Sequence, residues 1–107
     1  MTKTGTTLAG GAQRATAAGT KRYRDRFAAR FADDFYRSLS SDLTASSLGL
    51  GTYLGDCDES DDARYVAAIR SALGQGINVI DSAINYRCQR SERAVGRALR
   101  EALATSV

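Results

Sequence analysis

Apolar and polar positions in the second half of the chain predict two strands and two helices. The short apolar run Ile77–Ile80 follows a glycine and leads into Asp81, a pattern typical of a buried parallel strand. Residues 48–55, which include several glycines, predict the first core strand and its exit loop. Apolar residues at helical spacing predict one helix over residues 62–74 and another beginning at an N-cap, Ser91.

The first half of the chain has a different pattern. Residues 1–22 contain few large apolar side chains and predict a disordered basic tail. Aromatic residues then recur every fourth position from Tyr23 to Phe35, which predicts a helix with one aromatic face for packing or for binding a partner. A polar, turn-rich stretch follows and predicts a short hairpin, so residues 23–47 are interpreted as a helix and hairpin extension.

The order strand, helix, strand, helix over residues 48–107 predicts the α/β class. Two parallel strands do not close a hydrophobic core, and a third strand is expected where the sequence stops. A (β/α)8 barrel usually needs roughly 250 residues. The expected fold is therefore the opening βαβα portion of a (β/α)8 TIM barrel, preceded by an irregular or helical N-terminal extension.

Charge and composition exclude several classes of function. The net charge of +3 arises from residues 1–24, which hold five basic residues and no acidic one, so no basic nucleic-acid-binding face is expected. No apolar run is long enough for a membrane span, and no secretory signal is recognisable. Cys57 and Cys88 are expected to remain free thiols in a reducing cytoplasm. The chain has no histidine, and no metal site is predicted.

Asp81 and Tyr86 are the candidate catalytic residues. Chemistry in barrels of alternating strands and helices lies at the C-terminal ends of strands, where this acid and this tyrosine fall. A tyrosine phenol, with an ordinary pKa of about 10, acts as a general acid near neutral pH only beside a cation. A carboxylate such as Asp81 can hold that cation. From spacing alone, the alternative is that Asp81 caps a loop and Tyr86 is a packing residue.

Several segments between Leu48 and Leu99 resemble the aldo-keto reductase family in order and spacing. They are Gly49-Leu50-Gly51-Thr52-Tyr53, Ala68-Ile69-Arg70-Ser71-Ala72-Leu73, Gly76-Ile77-Asn78-Val79-Ile80-Asp81-Ser82-Ala83, Tyr86, Ser91-Glu92 and Val95-Gly96-Arg97-Ala98-Leu99. The resemblance covers about half of the chain and implies a (β/α)8 barrel that reduces aldehydes or ketones with NADPH.

The resemblance also implies roles for particular residues. Tyr86 matches the proton-donating tyrosine, and Asp81 matches the aspartate that pairs with the catalytic lysine. Gly51, Thr52 and Tyr53, together with Asp81, match positions along the cofactor. The family's lysine and histidine would fall after Val107, and the loop Arg87–Arg90 departs from the small residue that many members have after the tyrosine.

Three hypotheses follow from these observations. The first is an NADPH-dependent reductase of small carbonyl substrates, represented by an N-terminal fragment. The second is a truncated product without catalysis, and the third is an interaction module that uses the Tyr23–Phe35 aromatic face. The oligomeric state is not predicted by the sequence.

Overall fold

A computed structural model describes residues 14–105 and has an α/β fold, as predicted. The helices are α1 (Ala17–Phe27), α2 (Glu59–Gly74) and α3 (Arg90–Ala104), with a short 3-10 turn at Ala28–Arg30; the strands are β1 (Tyr36–Ser38), β2 (Thr44–Ser46), β3 (Leu50–Gly51) and β4 (Ile80–Asp81). Strands β1 and β2 form an antiparallel pair, whereas β3 and β4 form a parallel pair. The predicted hairpin and the predicted strand–helix–strand–helix order are both present.

The main core lies between α2 and α3. Val66 and Ile69 of α2 pack against Ala94 and Ala98 of α3, and Ile69 and Ala98 are completely buried. The small alanine side chains let the two helices approach closely. Side chains of both parallel strands, including Leu50, cover the same cluster. This packing places the helices against the parallel pair, so the core holds both strands in position.

Helix α2 begins earlier than the pattern predicted. The carboxylate of Asp58 accepts a hydrogen bond from the amide of Asp61 at 2.9 Å and caps the helix N-terminus. The first turn therefore includes Glu59, Asp61 and Asp62, whose negative charges suit the positive end of the helix dipole. Residues 59–61, which precede the predicted start at residue 62, are thus helical.

The parallel strands are shorter than the predicted apolar runs. The register pairs Leu50 with Ile80 and Gly51 with Asp81. Before this pair, Asn78 is hydrogen-bonded to β2 instead of β3: its side-chain oxygen accepts from the amide of Ser46 at 2.8 Å, and its side-chain amide donates to the carbonyl of Thr44 at 3.0 Å. The hairpin is thereby attached to the chain that enters β4.

The N-terminal helix differs from its prediction at both ends. Helix α1 begins at Ala17, capped by Thr16, so it occupies part of the stretch interpreted as a disordered tail. Residues 1–13 of that tail lie outside the described residues. The helix predicted to continue through Phe35 ends at Phe27. Phe31 and Phe35 lie in the irregular segment that leads into β1, where their rings stack with centroids 3.9 Å apart. The domain boundaries after residues 22 and 47 stay predictions.

The aromatic residues of this region form a cluster over the end of α2, which we call the aromatic clamp: Tyr23, Phe27, Phe31, Phe35 and Tyr36. Phe27 is only 5% exposed. The hydroxyl of Tyr23 donates to the carbonyl of Leu73, and that of Tyr36 donates to the carbonyl of Gly76, each at 2.5 Å. Burial raises the pKa of Tyr23 to about 12. These contacts make the rings packing residues within the chain, which favours the packing interpretation over a partner-binding face.

Gly76 is the point at which the aromatic clamp touches the turn between α2 and β4. Its φ is +107°, a conformation that side chains rarely adopt. A Cβ atom at this position would lie 2.7 Å from the Tyr36 hydroxyl and 2.8 Å from Cε2 of Phe31. Only glycine therefore fits between the turn and the rings. In the described part of the chain, no helix combines the length and apolar character needed to cross a membrane.

Candidate active site

The C-terminal ends of β3 and β4 bring the predicted site residues to one edge of the parallel pair. Gly51 is paired with Asp81, and the hydroxyl of Thr52 donates to the backbone carbonyl of Asp81 at 2.8 Å. The hydroxyl of Ser91 in turn donates to the carbonyl of Thr52 at 2.6 Å. Thr52 and Ser91 are both completely buried. These two hydroxyls fix the end of β3 to the end of β4 and to the start of α3.

Ser91 therefore has a different role from the one predicted. The N-cap of α3 is Gln89, and Ser91 lies inside the first turn of the helix. Its hydroxyl reaches β3 because the helix starts close to the strand end. The sequence signal for this role is weak, since a serine before an apolar helical pattern is the usual sign of a cap.

Tyr86 lies beside Tyr53 at this edge. The two rings meet edge to face with centroids 5.1 Å apart and an interplanar angle of 74°. Tyr53 is 65% exposed, Tyr86 is half-buried and Asp81 is exposed. Among residues 14–105, no hydrogen bond or ion pair engages the Asp81 carboxylate. The structure therefore gathers Gly51, Thr52, Tyr53, Asp81 and Tyr86 at one accessible edge, with Asp81 open to a cation.

The turn after Tyr86 has an unusual backbone. Arg87, Cys88 and Gln89 have φ values of +50°, +60° and +71°, so three successive residues other than glycine are left-handed. Each such residue costs of order 1–3 kcal/mol unless its surroundings hold it in place. The contacts of this turn must therefore offset several kcal/mol of backbone strain. Two features of the structure supply such contacts.

The first feature is the Arg87 side chain, which is completely buried. Its guanidinium donates to the carbonyls of Asp56 and Asp58 at 2.9 and 3.2 Å and forms an ion pair with Asp62 at 2.7 Å. It also lies over the ring of Tyr65, 5.0 Å from the centroid. A buried charge with this many partners anchors the turn to the start of α2.

Neighbouring charges complete this anchor. Asp62 also lies 3.2 Å from the guanidinium of Arg90, at the start of α3. A hydrogen bond from the amide of Asp56, and then the Arg64 guanidinium, hold the pKa of the Asp61 carboxyl below its usual value. Asp62, in the first turn of α2, thus pairs with two basic residues that follow Tyr86, namely Arg87 and Arg90. Their contact was not predictable from the sequence, because the two charged segments are distant along the chain.

The second feature is a disulfide between Cys57 and Cys88, so the prediction of two free thiols is wrong. The Cα atoms are 5.9 Å apart, and the two cysteines are separated by 31 residues. The fold brings the exit loops of β3 and β4 together, and spacing alone does not predict that. A cross-link over a loop of this length stabilises a fold by about 3–4 kcal/mol. Three left-handed residues cost about 3–9 kcal/mol in all, so the disulfide offsets part of this strain and the Arg87 contacts offset more of it.

A shallow surface pocket lies next to this loop, on the outer side of α2. It is lined by Leu54, Gly55, Asp61, Arg64, Tyr65 and Ala68. Asp81 and Tyr86 lie outside it, so the candidate site is an open strand edge. Among the described residues, no group of histidine, cysteine, aspartate or glutamate side chains is placed to hold a metal ion.

Comparisons with known proteins agree with the resemblance noted from the sequence. The model of the aldo/keto reductase family matches residues 47–106. The chain is also similar to an aldo-keto reductase, YhdN, of Bacillus subtilis (strain 168), with 39% identity over 70 residues. That match covers 62% of this chain and 21% of the relative, so the chain spans about a fifth of the relative's length. No solved structure matches the chain.

Proposed function

We propose a function that proceeds from one premise: the chain belongs to the aldo/keto reductase family. In this proposal, residues 48–107 are the opening βαβα portion of a (β/α)8 barrel, and the whole protein is an oxidoreductase that reduces small aldehydes or ketones. The parallel pairing of β3 with β4 and the two helices packed beside it support this placement. The match to about a fifth of one relative supports it as well.

The observation that carries the proposal is the position of Tyr86 and Asp81 at one strand edge. The Tyr86 ring touches Tyr53, and the end of β4 that bears Asp81 is held by the Thr52 hydroxyl. We assign Tyr86 as the proton donor to the carbonyl oxygen of the substrate. We assign Asp81 to hold the cation that makes the phenol acidic enough for this step. The single lysine among residues 14–105 is Lys21 on α1, and no cationic side chain among these residues pairs with Asp81.

The same edge fits a nicotinamide cofactor, for which we propose NADPH. A side chain at Gly51 would meet no atom within 4 Å, and Tyr53 and Asp81 are exposed beside it. The hydroxyl of Thr52 is already used within the protein, so Thr52 contributes by fixing the strand end. When bound, NADPH supplies the hydride for the carbonyl carbon. The residues of this chain then orient the carbonyl and deliver the proton to its oxygen.

The experiment that tests this function uses the protein purified from its source cells. Its intact mass and its NADPH-dependent reduction of a small aldehyde are measured on the same sample. The variant Tyr86→Phe should lower turnover by about 100-fold or more, because general acid catalysis contributes about 10²–10⁴. Binding of NADPH should not change. The matched variant Tyr36→Phe removes a hydroxyl in the aromatic clamp and should retain turnover. Unchanged turnover in Tyr86→Phe contradicts the assigned role.

The remaining features of the protein follow from this proposal. We propose a cytoplasmic protein without a nucleic-acid or membrane partner. Intracellular disulfides are usually transient, catalytic or redox-sensing. The competing hypothesis is a 107-residue product without turnover. An intact mass near 11.4 kDa, with no NADPH-dependent reduction, supports that alternative.

A further inference from the structure

We propose that the Cys57–Cys88 disulfide is a redox modification site, reducible by a dithiol, that controls the position of Tyr86. This inference rests on the proposed function only for its consequence, namely that movement of Tyr86 alters carbonyl reduction. The bond itself and its effect on the loop stand on the contacts of residues 53–91.

The disulfide is accessible to a reductant. Cys57 and Cys88 are both exposed, whereas Arg87, next to Cys88, is buried. The covalent bond therefore lies at the surface, directly above a buried anchor. Exposed disulfides are the ones that thiol exchange reaches and that serve labile or regulatory roles.

The disulfide joins the two loops that hold the touching tyrosines. Cys57 is in the exit loop of β3, which begins at Thr52 and includes Tyr53, and Cys88 follows Tyr86 in the exit loop of β4. The rings of Tyr53 and Tyr86 are in contact. One bond thus fixes the relative position of both loops, although it lies outside the ring contact.

The strained backbone between Tyr86 and α3 explains why loss of the disulfide would change the loop conformation. Cys88 is the middle residue of the left-handed turn 87–89, a conformation that persists only where its surroundings impose it. Reduction removes the constraint at this middle residue and leaves the Arg87 contacts in place. The turn then relaxes towards right-handed backbone, and Tyr86 separates from Tyr53.

The chemical step is balanced by the dithiol. One thiolate of the dithiol attacks a sulfur of the disulfide, the sulfur–sulfur bond breaks, and a mixed disulfide forms. The second thiol displaces it and closes the dithiol into its own disulfide. Two electrons and two protons pass to Cys57 and Cys88, which become free thiols.

The test compares the oxidised 107-residue protein with the same protein after treatment with dithiothreitol. Thiol titration under native conditions should find no free thiol before treatment and two afterwards. Amide hydrogen exchange is then followed at residues whose amides are bonded within the loop, Tyr86 to Ala83 and Arg90 to Arg87. Their exchange should become about tenfold faster or more on reduction, while that of Val66 and Ile69 in the core stays unchanged.

A variant with Cys57→Ser and Cys88→Ser provides the matched control. Without dithiothreitol it should show the fast loop exchange of the reduced protein, and dithiothreitol should have no effect on it. The proposal is overturned if two thiols titrate before treatment, if loop exchange is the same in both states, or if reduction exposes the core as well. None of these readouts uses carbonyl reduction, so failure of the proposed enzymatic role remains distinguishable from failure of the redox site.

Discussion

The two ends of the β3–β4 pair differ. At the end where the chain enters β4, the aromatic clamp packs on the turn that follows α2. At the C-terminal ends of both strands, the side chains are exposed to solvent. In the clamp, tyrosine hydroxyls bond to carbonyls at the helix end, and Phe27 is buried. At the open end, Tyr53, Asp81 and Ile84 are exposed, and covalent and ionic contacts lie behind them. The difference shows one end built for stability and the other for access, as in barrels whose chemistry lies at the C-terminal ends of strands.

The largest effect is expected from Gly76→Ala at the closed end. The added methyl group would meet the Tyr36 hydroxyl and the Phe31 ring, at a φ of +107°. Strain and overpacking together should lower the free energy of unfolding by about 3 kcal/mol. Gly51→Ala, at the open end, adds a methyl group with no atom within 4 Å and should change it little. Urea denaturation of both variants measures this; equal losses would contradict the comparison.

A smaller effect is expected from Arg87→Met behind the open end. The change leaves Asp62 with Arg90 as its remaining ion-pair partner and removes the donor to the Asp56 carbonyl, while the Asp58 carbonyl keeps the amide of Asp62. The free energy of unfolding should therefore fall by about 2 kcal/mol. The matched variant is Arg64→Met, whose side chain is 77% exposed in its ion pair with Asp61. An exposed ion pair contributes little to stability, because solvent screens it. Thermal unfolding of the oxidised proteins distinguishes them, and similar losses would mean that Arg87 does not anchor the turn.

Removal of a single tyrosine hydroxyl should also have a larger effect on stability in the aromatic clamp than at the exposed end of the strands. Tyr36→Phe deletes the hydrogen bond to the carbonyl of Gly76 and should destabilise the fold by about 1 kcal/mol. Tyr53→Phe removes a hydroxyl from a ring that is 65% exposed and should leave stability unchanged. Chemical denaturation of the two variants side by side measures the difference. A larger loss in Tyr53→Phe would reverse the assignment of the two ends.

The last prediction is a pH dependence that arises in the aromatic clamp. Because burial raises the pKa of Tyr23 to about 12 from 10.0, the folded state holds this proton more tightly than the unfolded state does. The resulting stabilisation is complete below pH 10 and is lost as the pH rises towards 12. Unfolding monitored by circular dichroism across this window should show the loss, and Tyr23→Phe should reduce it. A variant with the same slope as the parent chain would exclude Tyr23 as the cause.

The sequence was informative where local pattern determines structure. Apolar residues at helical spacing, such as Ile69 in α2 and Ala94 and Ala98 in α3, form one buried face on each helix, so both helices were predictable from the chain alone. The end of α1 was not, because Phe31 continues the helical spacing but packs on Phe35 from an irregular segment. Tertiary packing overrides local propensity at that point.

The candidate site was predictable only in its outline. Asp81 and Tyr86 follow an apolar strand, and the resemblance identifies them, but their anchors depend on contacts between distant segments. Arg87 pairs with Asp62, and Cys57 with Cys88, only because the exit loops of β3 and β4 are adjacent in the fold. No periodicity marks such pairs. A charged residue or a cysteine in a polar loop is ordinarily expected to be exposed to solvent, so neither the ion pair nor the disulfide could be predicted from the sequence.

The side-chain amide of Asn78 determines how the β1–β2 hairpin is aligned with the segment that enters β4. Its side chain presents one acceptor and one donor to β2, matching the amide of Ser46 and the carbonyl of Thr44. A slip by one position would put Ile77 or Val79 there, and neither side chain can form a hydrogen bond. Two buried backbone groups would then lose their partners. Asn78 thus disfavours every other alignment of the hairpin with this segment, because its side chain satisfies both backbone groups in one register only.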